Sequence, residues 1–321
     1  MQAISDTINQ LHLGKSTTFE GLTVFPLFGD TPREADYITL DEALGKEQAR
    51  VLEVDEDGDV PNLLFDNFGD RKVLLVDGDE LIGAKQNRVI NLTILVPAHT
   101  KIEIPVSCVE AGRWSYSSRE FSSAGRAMYS KARASKAQHV SACMKVSGER
   151  YSDQSEVWEN IAAHSASMGV KSRTSAMSDM YEENEVTLER YKEAFKAEDG
   201  QVGALFAING KTQGVEVFDS SETFSHYLER LVSSYALGSF ADKCNDKEVT
   251  LPEAEHFMDV IKKAKSERFD ALGEGDDLRL SDDLLAGGAL VAEGRVVHLA
   301  AFNRDPDGKV VRPYPSQWSV E

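Results

Sequence analysis

The chain has 321 residues, 41% hydrophobic and 28% charged, which is the balance of a soluble globular protein with room for one large or two ordinary domains. A formal net charge of −19 disfavours a general nucleic-acid-binding surface, and no run approaches the about 18 apolar residues of a membrane span. The first residues lack the basic and apolar regions of a leader. Cys108, Cys143 and Cys244 are too widely spaced for a CxxC metal pattern or a disulfide framework, so a cytoplasmic location is expected.

Residues 1–20 read as a short amphipathic lead-in. Leu22–Phe28 reads as a strand in which Pro26 argues for an edge or a bulge. Short strands follow at Tyr37–Leu40 and Ala49–Val54. A turn at Asp55–Asp59 leads into Pro61–Phe65, and Lys72–Val76 is a fully apolar strand ending at Asp77-Gly78. Val89–Val96 and Lys101–Val106 pair as a hairpin through Pro97-Ala98-His99-Thr100. About seven closely spaced strands thus precede Trp114, the pattern of a sandwich or barrel-like sheet.

After Trp114 the composition changes. From Arg113 to Lys145 there are seven basic residues (Arg113, Arg119, Arg126, Lys131, Arg133, Lys136, Lys145) against the single acid Glu120. Ser152 is placed to cap a helix carrying Val157, Trp158, Ile161 and Met168. Residues 171–186 are polar and unpatterned and read as a loop, before a charged helix near Val186–Ala197. Asn209-Gly210 between Val202–Ile208 and Thr212–Phe218 is a strong hairpin signal. A helix with Phe224, Leu228, Leu231, Val232 and Tyr235 on one face comes next. Thr250-Leu-Pro-Glu253 is a capping box that opens another. A final strand pair, Ala289–Ala292 and Val296–Phe302, turns at Glu293-Gly294. Its sequence GALVAEGR is faintly like GALFAINGK of the earlier hairpin, too faintly to count as a repeat. The tail from Asp305 is loop-like and ends near an ordered-looking Trp318. The expected class is α+β. A mainly antiparallel β part, 1–114, packs with a helical and hairpin-containing part, 115–321, as one continuous body.

Polar side chains gather at the open end of the 80–114 hairpin. Lys85, Gln86, Asn87 and Arg88 supply donors suited to a ribose, a base edge or a phosphate. On a strand, Gln86 and Arg88 face one side and Asn87 the other. Arg113 adds a second guanidinium, and Trp114 can stack on a base or belong to the core. Glu80 and Glu110 sit at matching ends, where two carboxylates could divide into acid and base; the plainer reading pairs each with Arg88 or Arg113. Cys108 is either a nucleophile activated by Arg113 or a small buried hydrophobe. The basic segment 113–145 is either a phosphate-facing surface or a solvated helix that offsets nearby acidic patches. His298 alternates with apolar neighbours as a core histidine does. HExxH, P-loop, GxGxxG and GxSxG motifs are absent in strand–helix context, which argues against the common nucleotide hydrolases, dinucleotide dehydrogenases and serine hydrolases.

In order, EGLTVFPLF, ELIGAKQNRVINLTILVPAHTKIEIPVSCVEAGRW, QSEVWENI and GALFAINGKTQGVEVF resemble the ARG- and rhodanese-phosphatase-superfamily-associated protein domain, where ARG denotes ADP-ribosylglycohydrolase. The resemblance runs from about Leu22 to Phe302, and KQNR and VSCVEAGRW are its most specific parts. It implies a link with ADP-ribosylglycohydrolases and phosphatase-like proteins as partners, and with NAD-derived ADP-ribose as ligand class. It assigns no catalytic residues.

Three readings follow. In the first, the hairpin end binds or processes ADP-ribose or a related nucleotide, with hydrolysis by Glu80 or Glu110 if chemistry occurs and no cofactor. In the second, a non-catalytic interaction or scaffold protein docks an acidic partner through residues 113–145. The third is a metal-assisted hydrolase using Glu80, Glu110 and His99 or His298, for which no ligand spacing is characteristic.

Overall fold

The computed structural model describes residues 2–30, 33–55, 59–240, 247–281 and 283–304. Cys244, Trp318 and the centre of the turn expected at Asp55–Asp59 lie outside them. Helix α1 (Gln2–Asn9) is followed by strands β1 (Leu11–Leu13), β2 (Thr17–Phe19), β3 (Leu22–Gly29) and β4 (Tyr37–Thr39), then α2 (Leu40–Gly45). Next come β5 (Ala49–Glu53), β6 (Asn62–Asn67), β7 (Lys72–Leu75), β8 (Asp79–Gly83), β9 (Arg88–Ile90), β10 (Ile94–Val96), β11 (Thr100–Cys108) and β12 (Phe121–Ala127). Helices α3 (Ser130–Ser147), α4 (Gln154–Met168), α5 (Met177–Glu183) and α6 (Glu185–Ala194) precede β13 (Gln201–Ile208) and β14 (Lys211–Phe218). The chain continues through α7 (Ser221–Ser239), α8 (Leu251–Lys263), β15 (Ser266–Asp270), β16 (Asp276–Ser281), β17 (Leu285–Ala292) and β18 (Arg295–Asn303).

The class is α+β, and the barrel-like sheet is a barrel. Strands β11-β6-β5-β12-β8-β9 close on themselves, β10-β7-β4 form a small sheet, and a nine-stranded sheet runs β1-β3-β13-β14-β18-β17-β16-β15 with β2 on β3. Strands from both sides of residue 114 share two of these sheets. β3 pairs with β13, and β12 closes the barrel between β5 and β8.

Three departures from the sequence reading have identifiable causes. The run Val89–Val96 is not one strand of a hairpin. β9 pairs with the end of β11, while β10 leaves for β7, so Pro97–Thr100 links two sheets. The break falls at Asn91, whose buried side chain donates to the Arg150 carbonyl and accepts from the Ser107 hydroxyl. The α4 cap is Asp153, which accepts from the Ser155 and Glu156 amides, whereas the Ser152 hydroxyl meets that of Ser107. The expected loop at 171–186 contains α5, whose Met177, Met180 and Tyr181 are buried. The two NG and EG hairpins form as expected. They lie side by side through β14 and β18, each with a left-handed turn pair (φ 51 and 76; 50 and 76) and a register shift at the matching place.

The central strands of the large sheet are covered on both faces, so β13, β17 and β18 read as nearly continuous apolar runs, whereas the edge strand β15 is polar and exposed. One face packs Leu205, Val217 and Leu299 against Ile4 and Ile8 of α1 and Phe257 and Ile261 of α8. The other face meets α7 and α3, with aromatic residues such as Phe206, Phe218 and Tyr235. This inner face also carries Glu216 and His298, which alternate with the aliphatic residues of the outer face.

Buried ion pairs tie the layers together. Arg133 of α3 reaches Glu216 (2.6 Å) and Asp77 (3.5 Å), and His298 bridges Glu216 (3.2 Å) and Thr93 (2.8 Å). Lys136 donates to Asp77 and to the Ile90 (2.9 Å) and Asn91 (3.0 Å) carbonyls. Arg230 of α7 pairs with Asp79 (2.8 Å) and Asp41, and the Tyr227 hydroxyl donates to Asp79 (2.9 Å). Against the cost of burial, Lys136 and Arg133 hold the Asp77 carboxyl below its usual range.

Gly78 lies between the two acids with φ +89, and a Cβ there would stand 2.7 Å from Arg133 Nε. Gly78→Ala should therefore cost more than the about 1 kcal/mol of an ordinary substitution, read as a lower urea midpoint at unchanged slope. An unchanged midpoint would contradict this packing.

Candidate functional site

The site is the end of the barrel where β9 and β11 meet. Alternation decides what faces inward. Val51, Ile90 and Val106 belong to the core cluster that fills the barrel. Two residues further toward the same end stand Glu53, Arg88 and Cys108, on the same strand faces as those core residues. Arg88 and Cys108 are direct cross-strand partners, and Arg88 is also opposite Leu81.

Arg88 is fully buried, yet only part of its guanidinium is satisfied. Nη1 donates to Gln86 Oε1 at 3.1 Å, while Nε and Nη2 have no hydrogen-bond partner. These two nitrogens form the side-on edge of the guanidinium, the one that grips a carboxylate or phosphate with two parallel bonds. Glu53 faces the same space. Its Oε1 accepts from the Lys85 amide at 3.2 Å, and its Oε2 is buried without a partner. Burial lowers the Arg88 pKa from its ordinary value, while Cys108 and Glu53 act to raise it. Trp114 lies 5.7 Å from the Arg88 guanidinium, and Lys85 Nζ sits between Trp114 (5.4 Å) and Tyr116 (5.2 Å). Both rings are about half exposed, at 48% and 53%.

Other expected residues build the rim. Arg113 donates to Glu110, Asn87 Oδ1 and the carbonyls of Gly83, Ala84 and Ser115. Gln86 Nε2 donates to the Glu110 carbonyl (2.9 Å), and the Asn87 amide to Glu110 Oε2 (3.2 Å). Against the upward push of burial, hydrogen bonds from Arg113, Thr174 and the Asn87 amide hold Glu110 below its usual carboxylate range. Gln86, Asn87, Glu110 and Arg113 thus lock the 84–87 and 109–117 loops together.

Glu80 lies elsewhere. It alternates with the inward-facing Leu81 and so sits on the barrel's outer side. There it is fully buried against Arg126 (2.7 Å), which in turn stacks on Tyr181. Burial pushes its pKa up to about 7, and Glu182 and Glu110 add to the rise against the pull of Arg126. The two glutamates are therefore held by different arginines, an arrangement that weighs against a shared acid–base pair. Cys108 is buried with its thiol pushed up to about 11 by desolvation, despite Arg88 beside it, so it is protonated at neutral pH.

The basic segment is directed inward. Arg113, Arg126, Arg133 and Lys136 pair with Glu110, Glu80, Glu216 and Asp77, whereas Arg119, Lys131 and Lys145 are exposed and Lys145 meets Glu267 at the surface. Four of its seven basic residues thus face acids that are mostly buried. Among the described residues no group of three or more His, Cys, Asp or Glu side chains is placed to hold a metal. His99 pairs with Asp70 at the surface, and His298 belongs to the buried network. The sequence reading missed Glu53 and Tyr116. The alternation of Val51 and Glu53 in the strand 49–54 was the available signal for the first; Tyr116 left none.

A closed six-stranded barrel and a nine-stranded antiparallel sheet, with a polar, aromatic-rimmed mouth on the barrel, define an α+β protein. The chain matches the ARG and Rhodanese-Phosphatase-superfamily-associated Protein domain over residues 10–302 and belongs to that family. The family's name associates it with the ADP-ribosylglycohydrolase and rhodanese-phosphatase superfamilies. No curated protein and no solved structure matches the chain.

Proposed function

We propose that the barrel mouth binds ADP-ribose or a related NAD-derived nucleotide. The carrying observation is Arg88, a buried guanidinium whose side-on edge is unsatisfied beneath a half-exposed tryptophan. A buried cation without an ion-pair partner is costly, and a phosphate, like a carboxylate, has the geometry to match that edge. Trp114 and Tyr116 offer faces for a base, and Lys85 adds positive charge between them. The family association with ADP-ribosylglycohydrolases supports the ligand class and names the partners to try first. Glu80 is outside the mouth, Glu110 is held by Arg113, and the Cys108 thiol is protonated. The reading is accordingly one of binding, with no reaction assigned.

A thermal-shift series with ADP-ribose, NAD, AMP and ribose 5-phosphate tests it. Ligand at a hundredfold excess over Kd stabilises the native state by about 2.7 kcal/mol. The shift should disappear in Arg88→Met. In Trp114→Ala, which removes a half-exposed ring, ADP-ribose should bind about tenfold more weakly or worse, as loss of one stacking contact implies. Absence of a shift with every nucleotide would remove the proposal and turn attention to protein partners.

A further inference from the structure

Glu53 and Arg88 carry opposite charges into the same barrel end, yet they do not meet. Each feels the other's charge, and no ion pair joins them. Glu53 is 9% exposed and Arg88 fully buried, and both keep unpartnered atoms. Two buried opposite charges held apart are costly unless a third group lies between them. A carboxylate only accepts hydrogen bonds and a guanidinium only donates. A group that satisfies both must therefore accept on one side and donate on the other. A phosphate ester dianion without a hydroxyl, such as methyl phosphate, meets only the first demand and is repelled by Glu53.

We infer that Glu53 and Arg88 form a two-part subsite for a phosphorylated sugar, with phosphate oxygens on Arg88 Nε and Nη2 and a sugar hydroxyl donating to Glu53 Oε2. This rests on the reading of the mouth as a nucleotide site and deepens it by orienting the ligand. The sugar-phosphate end enters the barrel, and the base stays outside against Trp114 and Tyr116. Cys108 suits the floor of this subsite because a neutral thiol repels neither part. The arrangement also makes Glu53 a specificity residue, since it penalises anions that bring no hydroxyl.

The test compares ribose 5-phosphate, methyl phosphate and inorganic phosphate by calorimetry and thermal shift. The wild type should bind ribose 5-phosphate about tenfold or more tightly than methyl phosphate, the difference expected of one hydrogen bond to a buried charge. Glu53→Gln keeps an acceptor for the Lys85 amide and replaces the free oxygen with a donor. It should lose the discrimination and bind methyl phosphate more tightly than the wild type does. Glu53→Ala should bind ribose 5-phosphate and methyl phosphate alike. Equal binding of these two by the wild type, or discrimination that survives in both variants, overturns the subsite. In that case phosphate binding that disappears in Arg88→Met still leaves the mouth as an anion site. If none of the three probes binds and ADP-ribose gives no shift, the subsite and the reading beneath it fall together.

Discussion

Arg133→Met is expected to lower the stability of the protein by about 3–5 kcal/mol, the cost of breaking a buried ion pair from one side. Arg133 is fully buried, donates to Glu216 at 2.6 Å and helps to hold Asp77. Without it, the equally buried Glu216 carboxylate keeps only His298 and Tyr235 as partners. Methionine fills most of the volume, so the loss comes from the stranded charge and not from a cavity. The double variant Arg133→Met with Glu216→Leu should recover most of the stability, because Asp77 still has Lys136. Urea unfolding at constant slope measures both. A single variant within about 1 kcal/mol of the wild type, or a double variant worse than the single, would mean that the network does not hold the layers as described.

The second large effect is on pH. Glu80 has a folded-state pKa near 7 against an ordinary 4.5. Between those values the folded protein keeps a proton that the unfolded chain releases. Stability therefore falls as pH rises from about 4.5 to about 7, by on the order of 3 kcal/mol from this group, and the loss is complete above that. Paired carboxylates such as Asp77 and Glu110, whose pKa values are lowered, act in the opposite sense at lower pH. Glu80→Gln still accepts from Arg126 and cannot ionise. It should be more stable than the wild type at pH 8 and close to it at pH 5, so the two melting curves should diverge across this window. Parallel profiles would show that Glu80 is ionised in the folded protein throughout.

Much of the fold was legible where one physical rule acted alone. The NG and EG turns with their flanking apolar runs, the capping box at Thr250 and the apolar face of Phe224, Leu228, Leu231, Val232 and Tyr235 on α7 depend on local sequence; that Arg230–Ser239 is buried all round does not. Strands β8 and β12 were hidden because they carry polar residues such as Glu80 and Arg126 that satisfy one another across a bulge. The break at Asn91 could not be read because its partners, Ser107 and the Arg150 carbonyl, are remote in sequence. The site was legible in place more than in role. The KQNR and VExGRW stretches do meet, but which donors are consumed internally depends on who faces whom. Arg113 and Arg88 look alike in sequence; one is saturated by the loops it ties and the other is left open. The two readings of the basic segment stayed open for the same reason, since nothing in its composition reveals that Asp77, Glu80 and Glu216 lie inside against it.

The pairing of β3 with β13 has a consequence for how the protein is made. A strand complete by residue 29 takes its main neighbour from residues 201–208, on the far side of the barrel and four helices. At ribosomal speeds of about 5–20 residues per second, that neighbour emerges on the order of ten seconds or more later. Until then β3 presents an apolar, unpaired edge beside a barrel that can already close. The nascent chain therefore passes through a stage in which the barrel is built while the sheet that supports it is not, and chaperone demand should peak there.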